Sequence, residues 1–145
     1  MASSDFSSVK TASIEWRDNA PFCTEFNDVY YHSEQPFKEN GLKETEYVFI
    51  TQNQLPKGWQ SLDNHSPKHK TFTIGETGFG TGLNFLTACD LWLKTAPSNW
   101  RLKFISTEIS PISADDLKAI HTSWSVFSEL SKELLAQYPP LTPGI

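Results

Sequence analysis

The sequence predicts an α/β fold, with two parallel strands joined by a glycine loop and a helix, and a small β-rich segment in front. Three observations carry the prediction. Thr71–Ile74 is a β-branched and aromatic run, the glycines of Gly75–Gly82 follow it, and Leu83, Leu86 and Leu91 then recur at helical spacing. Leu102–Glu108 (LKFISTE) alternates apolar and polar residues and ends on an acid. The N-terminal third holds short alternating runs separated by turn residues.

In chain order, residues 1–12 are serine-rich and polar and read as a frayed end. Residues 13–70 read as a β-rich extension with one helix. Ser13–Arg17 is its first strand, Asp18-Asn19-Ala20-Pro21 a turn, and Phe22–Phe26 and Val29–Tyr31 two further short strands. A helix fits Leu42–Ile50, flanked by Gly41 and Asn53. Asn53–Lys70 carries Pro56, Gly58 and Pro67 and reads as a loop, with a helical turn at Trp59 and Leu62 packing inward. From residue 71 come the strand, the glycine loop and a helix that ends at Pro97-Ser98-Asn99. Leu102–Glu108 is the second parallel strand. Ser113 starts a helix with Asp115 and Asp116 in its first turn, where the helix dipole favours acids. A last helix fits Val126–Gln137 and is stopped by Tyr138-Pro139-Pro140.

The loop separates ligand classes. A dinucleotide fingerprint needs G-x-G-x-x-G, but the third glycine comes one residue early and Leu83 holds its place. A phosphate-binding P-loop needs a lysine where Thr81 stands. What remains is Glu76 followed by Gly78, Gly80 and Gly82. Such a loop lets a ligand approach the backbone closely, and the carboxylate suits positive charge on that ligand. S-adenosylmethionine carries such charge on its sulfonium and α-amino groups and brings no pyrophosphate. A plain glycine-rich turn is the other reading. Glu108 ends the neighbouring strand, on the side where open α/β sheets bind ligands. An ionised carboxylate there can accept both hydroxyls of a ribose. The gap from the loop exceeds the usual ~20 residues because the helix runs on through Trp92 and Lys94. Taken alone, Glu108 reads equally well as a solvated strand-end acid.

Composition narrows the function classes. With 145 residues, 38% apolar and 20% charged, the chain suits one globular domain with a real core. A net charge of −5 argues against a purely electrostatic grip on nucleic acid, while leaving room for a local basic patch or a basic partner domain. No run approaches the ~20 apolar residues of a membrane span, and the first residues lack the apolar core of a signal peptide. Cys23 and Cys89 read as free thiols of a cytoplasmic protein. His32, His65, His69 and His121 share no metal-ligand spacing and read as surface or loop histidines.

The stretches IEWRDNAPFCTEFNDVYY, GLKETEYVFITQNQLPKGW, IGETGFGTGLNF, FISTEISPIS and LLAQYPPLTPG, in that order, cover nearly all of residues 14–144. They resemble the methyltransferase half of the tRNA 5-methylaminomethyl-2-thiouridine biosynthesis bifunctional protein (MnmC) family. The most specific pieces are GETGFGTGLNF and YPPLTPG. The resemblance implies a Rossmann-like fold and an S-adenosylmethionine-dependent enzyme that methylates the aminomethyl nitrogen of the wobble uridine in tRNA. It implies a partner domain, an FAD-dependent oxidoreductase that prepares this substrate and is absent from this chain. Position by position, it places Glu76, Gly78, Phe79, Gly80, Thr81, Gly82 and Asn84 at the cofactor loop and Glu108 at the ribose. Asp28 and Tyr30, in NDVYY, match a segment near cofactor or substrate; read without the family they are a turn residue and a core aromatic.

The chain departs from the family pattern in one respect. The family's acidic D-x-x-x-x-D-G-F-x-P segment has no counterpart among these residues. Residues 71–145 are therefore expected to form the first half of the methyltransferase domain, with two of the seven strands and with exposed sheet edges and apolar helix faces. The expectation is an N-terminal fragment or an interrupted gene, with no catalytic acid in it to name. A methyltransferase acting on a small molecule or protein, and a non-catalytic remnant, remain the alternatives.

Overall fold

The structure, a computed structural model, describes residues 9–32, 41–62 and 70–141. Three short strands, β1 (Ile14–Arg17), β2 (Ala20–Cys23) and β3 (Asp28–Val29), form an antiparallel meander in the order β1-β2-β3. Asp18 and Asn19 form a two-residue loop between paired Arg17 and Ala20, both at positive φ (50° and 63°). Asp and Asn tolerate that conformation, whose twist matches the flanking strands. This tight turn starts β2 at Ala20, earlier than the expected Phe22, and Thr24–Asn27 becomes the next turn. Strand β3 is likewise shifted from Val29–Tyr31 to Asp28–Val29, because Tyr31 leaves the sheet to enter the core.

The predicted helix at Leu42–Ile50 is two structures. Helix α1 (Leu42–Thr45) passes into a π-helical segment, Glu46–Thr51, in which the Gln52 N–H donates to the Tyr47 carbonyl five residues back. Helix α2 (Leu55–Gln60) occupies part of the expected loop, with Pro56 in its first turn, where a missing N–H costs nothing. His65, His69 and the last residues of YPPLTPG lie outside the described residues.

Strand β4 (Thr71–Thr77) pairs in parallel with β5 (Arg101–Thr107), in register from Thr71–Arg101 to Thr77–Thr107. The strand thus runs through Gly75 and Glu76, which the sequence assigns to the loop. Continuous ladder pairing outweighs the weak strand preference of one glycine. Helix α3 (Leu83–Thr95) returns between the two strands. Helix α4 (Ala114–His121) is capped by Ser113, whose hydroxyl accepts from the Asp116 N–H at 3.1 Å. A 3₁₀ turn (Ser125–Phe127) leads into α5 (Ser128–Ala136).

Two apolar clusters flank α3. One joins Ala12 and, from the extension, Cys23 and Tyr31 to Leu83, Leu86, Leu117, Ile120 and Trp124. The other joins Ile50 and Trp59 to Ile74, Ala88 and Trp92. Each draws on residues on both sides of position 70. Ala12 is buried and its N–H donates to the Pro111 carbonyl at 3.0 Å, so the segment read as a frayed end is docked by that point. Leu93, Ile105 and Ile109 are exposed, Ile109 to 86%. Only Ile105 lies on the sheet, whose parallel strands would normally be covered on both faces; Leu93 lies on α3 and Ile109 beyond β5.

The fold is therefore α/β with a β-rich N-terminal extension. Among the described residues, no helix is long and apolar enough to cross a membrane.

Candidate functional site

The loop Gly78–Gly82 lies at the carboxyl ends of β4 and β5. Gly78, Gly80 and Gly82 all have positive φ (81°, 52° and 75°). Two of them have different reasons to be glycine. At Gly82 a Cβ would come within 2.9 Å of the Phe79 ring, which folds back over it. At Gly78 a Cβ would meet nothing within 4 Å, so its backbone faces open space.

The loop is tied to β5. The N–H groups of Gly78 and Phe79 both donate to the Thr107 carbonyl, at 2.8 and 3.1 Å. The Gly80 N–H donates to Glu108 Oε2 at 2.8 Å, and the Ser110 N–H to Oε1 at 2.9 Å. The carboxylate at the end of β5 therefore clamps the loop across the sheet. Its two oxygens keep further lone pairs. Glu108 borders two cavities, of about 280 and 600 Å³. The smaller is lined by Asp28, Tyr30, Gly78 and Gly80, so the two expected residues of the meander and two of the loop glycines meet around one carboxylate. The larger is mostly aromatic and apolar, with Phe79, Phe85, Phe104 and Tyr138.

A third cavity of about 300 Å³ lies on the other side of Tyr30. Gly78, Phe79, Thr81 and Asn84 line it from the loop, and Val48 and Phe49 from the π-helical segment. Burial raises the Tyr30 hydroxyl well above its ordinary range, with Cys23, Glu108 and Glu25 adding to the effect. Tyr30 thus stands between the two smaller cavities as a neutral phenol.

Glu76 sits behind the loop and lines none of these three cavities. Its Oε1 accepts from Asn84 Nδ2 and its Oε2 from Ser106 Oγ, both at 2.8 Å. Burial raises its pKa; the two hydrogen bonds oppose this, and Glu108 adds to it. The sign follows from linkage. A carboxyl group with a raised folded-state pKa binds more protons when folded, so stability falls as pH rises through the window between the unfolded and folded values. Its charge is therefore carried at a cost to the fold. Glu76→Gln should leave stability at pH 7 unchanged or raised, since a side-chain amide can serve Asn84 and Ser106. Thermal melts at pH 4 and pH 7 check this, and a strongly destabilised variant at pH 7 would refute it.

Ser110 links the site to the extension. Its hydroxyl donates to Glu25 Oε2 at 3.0 Å, and Glu25 pairs with Lys10. The Lys10 and Ser110 hydrogen bonds lower the Glu25 pKa. Sequence reasoning missed both Glu25 and Ser110, since polar residues 85 positions apart leave no local pattern.

It also misread His121, which is no surface or loop histidine. His121 is 5% exposed and contacts the Thr81 carbonyl. Its place on the inner side of α4, four residues after the buried Leu117, was the available signal. His32 is exposed, 3.6 Å from Glu44. Cys23 and Cys89 are free thiols, and burial pushes Cys89 up to about 11.

No protein-family model matches the chain. It is 42% identical over 142 residues to the tRNA 5-methylaminomethyl-2-thiouridine biosynthesis bifunctional protein MnmC of Legionella pneumophila (strain Lens), covering 98% of this chain and 20% of that protein. The protein of the same name from Methylobacillus flagellatus is 44% identical over 133 residues, covering 92% of this chain and 19% of that protein. The chain spans about a fifth of the length of the curated relatives it matches. Among solved structures, the crystal structure of MNMC2 from Aquifex aeolicus superposes with a TM-score of 0.55 at 18% identity, covering 90% of this chain and 38% of that one. That likeness establishes a shared fold.

Proposed function

From a chain that matches one segment of the bifunctional MnmC proteins, we propose that it forms the cofactor-binding part of a tRNA methyltransferase. The activity is transfer of a methyl group from S-adenosylmethionine to the aminomethyl nitrogen of the wobble uridine, in the cytoplasm. The observation that carries the reading is the Glu108 carboxylate bonded to the Gly80 N–H, beside a Gly78 backbone open to a cavity.

The residues present fit this cofactor. Gly78 leaves room for close approach, and Glu108 has lone pairs free for ribose hydroxyls. Phe79, Phe85, Phe104 and Tyr138 offer an apolar wall next to it. Glu76 supplies negative charge close behind the loop, and Asn84 fixes its orientation. When bound, S-adenosylmethionine supplies an electrophilic methyl group on a sulfonium. The share of these residues in the reaction is positioning, since methyl transfer needs an in-line approach of the attacking nitrogen. Asp28 and Tyr30 line the smaller cavity, which supports the reading that they contact cofactor or substrate. Residues 71–145 are the first half of the methyltransferase domain and residues 13–70 its β-rich extension. In this reading, tRNA is the substrate, and an FAD-dependent oxidoreductase domain supplies its amine.

The test has two parts. Calorimetry of the chain with S-adenosylmethionine should give saturable binding that Gly80→Val removes. A protein containing this chain, given S-adenosylmethionine labelled in its methyl group and undermodified tRNA, should place label in the tRNA. Absence of binding would defeat the cofactor reading. Binding with label confined to small molecules or protein would move the assignment to another methyl acceptor.

A further inference from the structure

We propose that His121 is a positioning residue for the glycine loop, holding the Thr81 carbonyl so that Gly80–Gly82 keep the conformation that receives the cofactor. The role in cofactor binding rests on the function proposed above; the clamp itself rests on geometry. Nε2 of His121 lies 2.9 Å from the Thr81 carbonyl oxygen, and Nδ1 lies 2.6 Å from Ser131 Oγ.

The chemistry of these partners fixes the tautomer. A carbonyl oxygen only accepts, so Nε2 must carry the proton. The neutral imidazole then presents Nδ1 as an acceptor, and the Ser131 hydroxyl donates to it. Burial lowers the His121 pKa, which favours this neutral form. His121 and Ser131 are both buried, so each lost partner leaves a polar group without water.

The loop needs such a tie. It contains three positive-φ glycines and makes no ladder of its own. Thr107 and Glu108 hold Gly78, Phe79 and Gly80 from the sheet side. His121, the last residue of α4, holds Thr81, and Ser131 of α5 fixes the ring. An apolar side chain could fill the same volume beside Trp124, whose ring lies 5.5 Å away, but could not engage the carbonyl.

Three measurements decide it. In the full chain near pH 7, the ¹⁵N spectrum of His121 should show a protonated Nε2 and an unprotonated Nδ1. The opposite tautomer would overturn the proposal without any variant. Amide exchange at Gly80 and Gly82 should quicken about tenfold in His121→Phe, the effect of about one lost hydrogen bond. Amides of the β1–β2 hairpin should be unchanged. His121→Gln, which keeps an N–H donor, should restore most of the protection. Equal protection in wild type and His121→Phe would make the ring mere filling. S-adenosylmethionine should bind about tenfold more weakly to His121→Phe and within about threefold of wild type to His121→Gln. If the wild-type chain binds none, the cofactor reading fails, while the tautomer and the exchange rates still decide the clamp.

Discussion

Glu108→Ala should abolish most S-adenosylmethionine binding and also lower the stability of the fold. The carboxylate accepts from the Gly80 and Ser110 N–H groups at 2.8 and 2.9 Å. Hydrogen bonds to a charged group are worth about 1.5–3 kcal/mol when buried. Glu108 is only partly buried, so the loss for both should total about 2–3 kcal/mol. Losing two further bonds to ribose hydroxyls should weaken binding by about a hundredfold. Glu108→Gln separates the effects. Its single carbonyl oxygen can serve one N–H, while its NH₂ group opposes the other, so the stability loss should be smaller than for alanine. Thermal melts and calorimetry on both variants provide the check. Wild-type affinity in Glu108→Ala would remove this residue from the site.

Trp59→Ala should be the most destabilising single change in the described core. Trp59 is completely buried, edge-on to Phe72 at 5.8 Å and to Trp92 at 5.5 Å. Its Nε1–H donates to Thr95 Oγ1 at 2.9 Å, tying α2 to the end of α3. Removing a buried indole costs about 3–5 kcal/mol through lost burial and the cavity left behind. That is a large share of the ~5–15 kcal/mol by which domains are stable. Trp59→Phe keeps most of the packing. Thr95 Oγ1 still donates to the Leu91 carbonyl, so no buried hydroxyl is stranded. The loss there should be nearer 1–2 kcal/mol. Denaturant titrations of both variants measure the difference. A loss below about 1 kcal/mol in Trp59→Ala would mean that α2 does not anchor the second cluster.

These two residues stand at different distances from what a sequence can tell. Glu108 was legible because a strand pattern ending on an acid is local, and so is the glycine spacing from Gly78 to Gly82. Trp59 was legible as part of an inward-packing helical turn in a proline- and glycine-containing stretch. The bounds of that helix, Leu55–Gln60, were not, because six residues give too short a period to delimit. The π-helical turn at Glu46–Thr51 was hidden for another reason, since its residues fit an ordinary helix equally well.

The sequence by itself determined the order of elements, the parallel pairing of two strands around a glycine loop, and the acids beside that loop. It also carried the resemblance from which tRNA methylation is proposed. Tertiary structure decided where the acids point. It put Glu76 behind the loop between Asn84 and Ser106, and turned Glu108 across it to Gly80, 28 residues away. It also brought His121 to Thr81 across 40 residues, and Trp59 to Thr95 across 36. Periodicity and turn chemistry act over a few neighbouring residues and leave a readable pattern. A hydrogen bond between distant residues depends on how whole elements pack, and packing leaves no mark on the residues adjoining either partner.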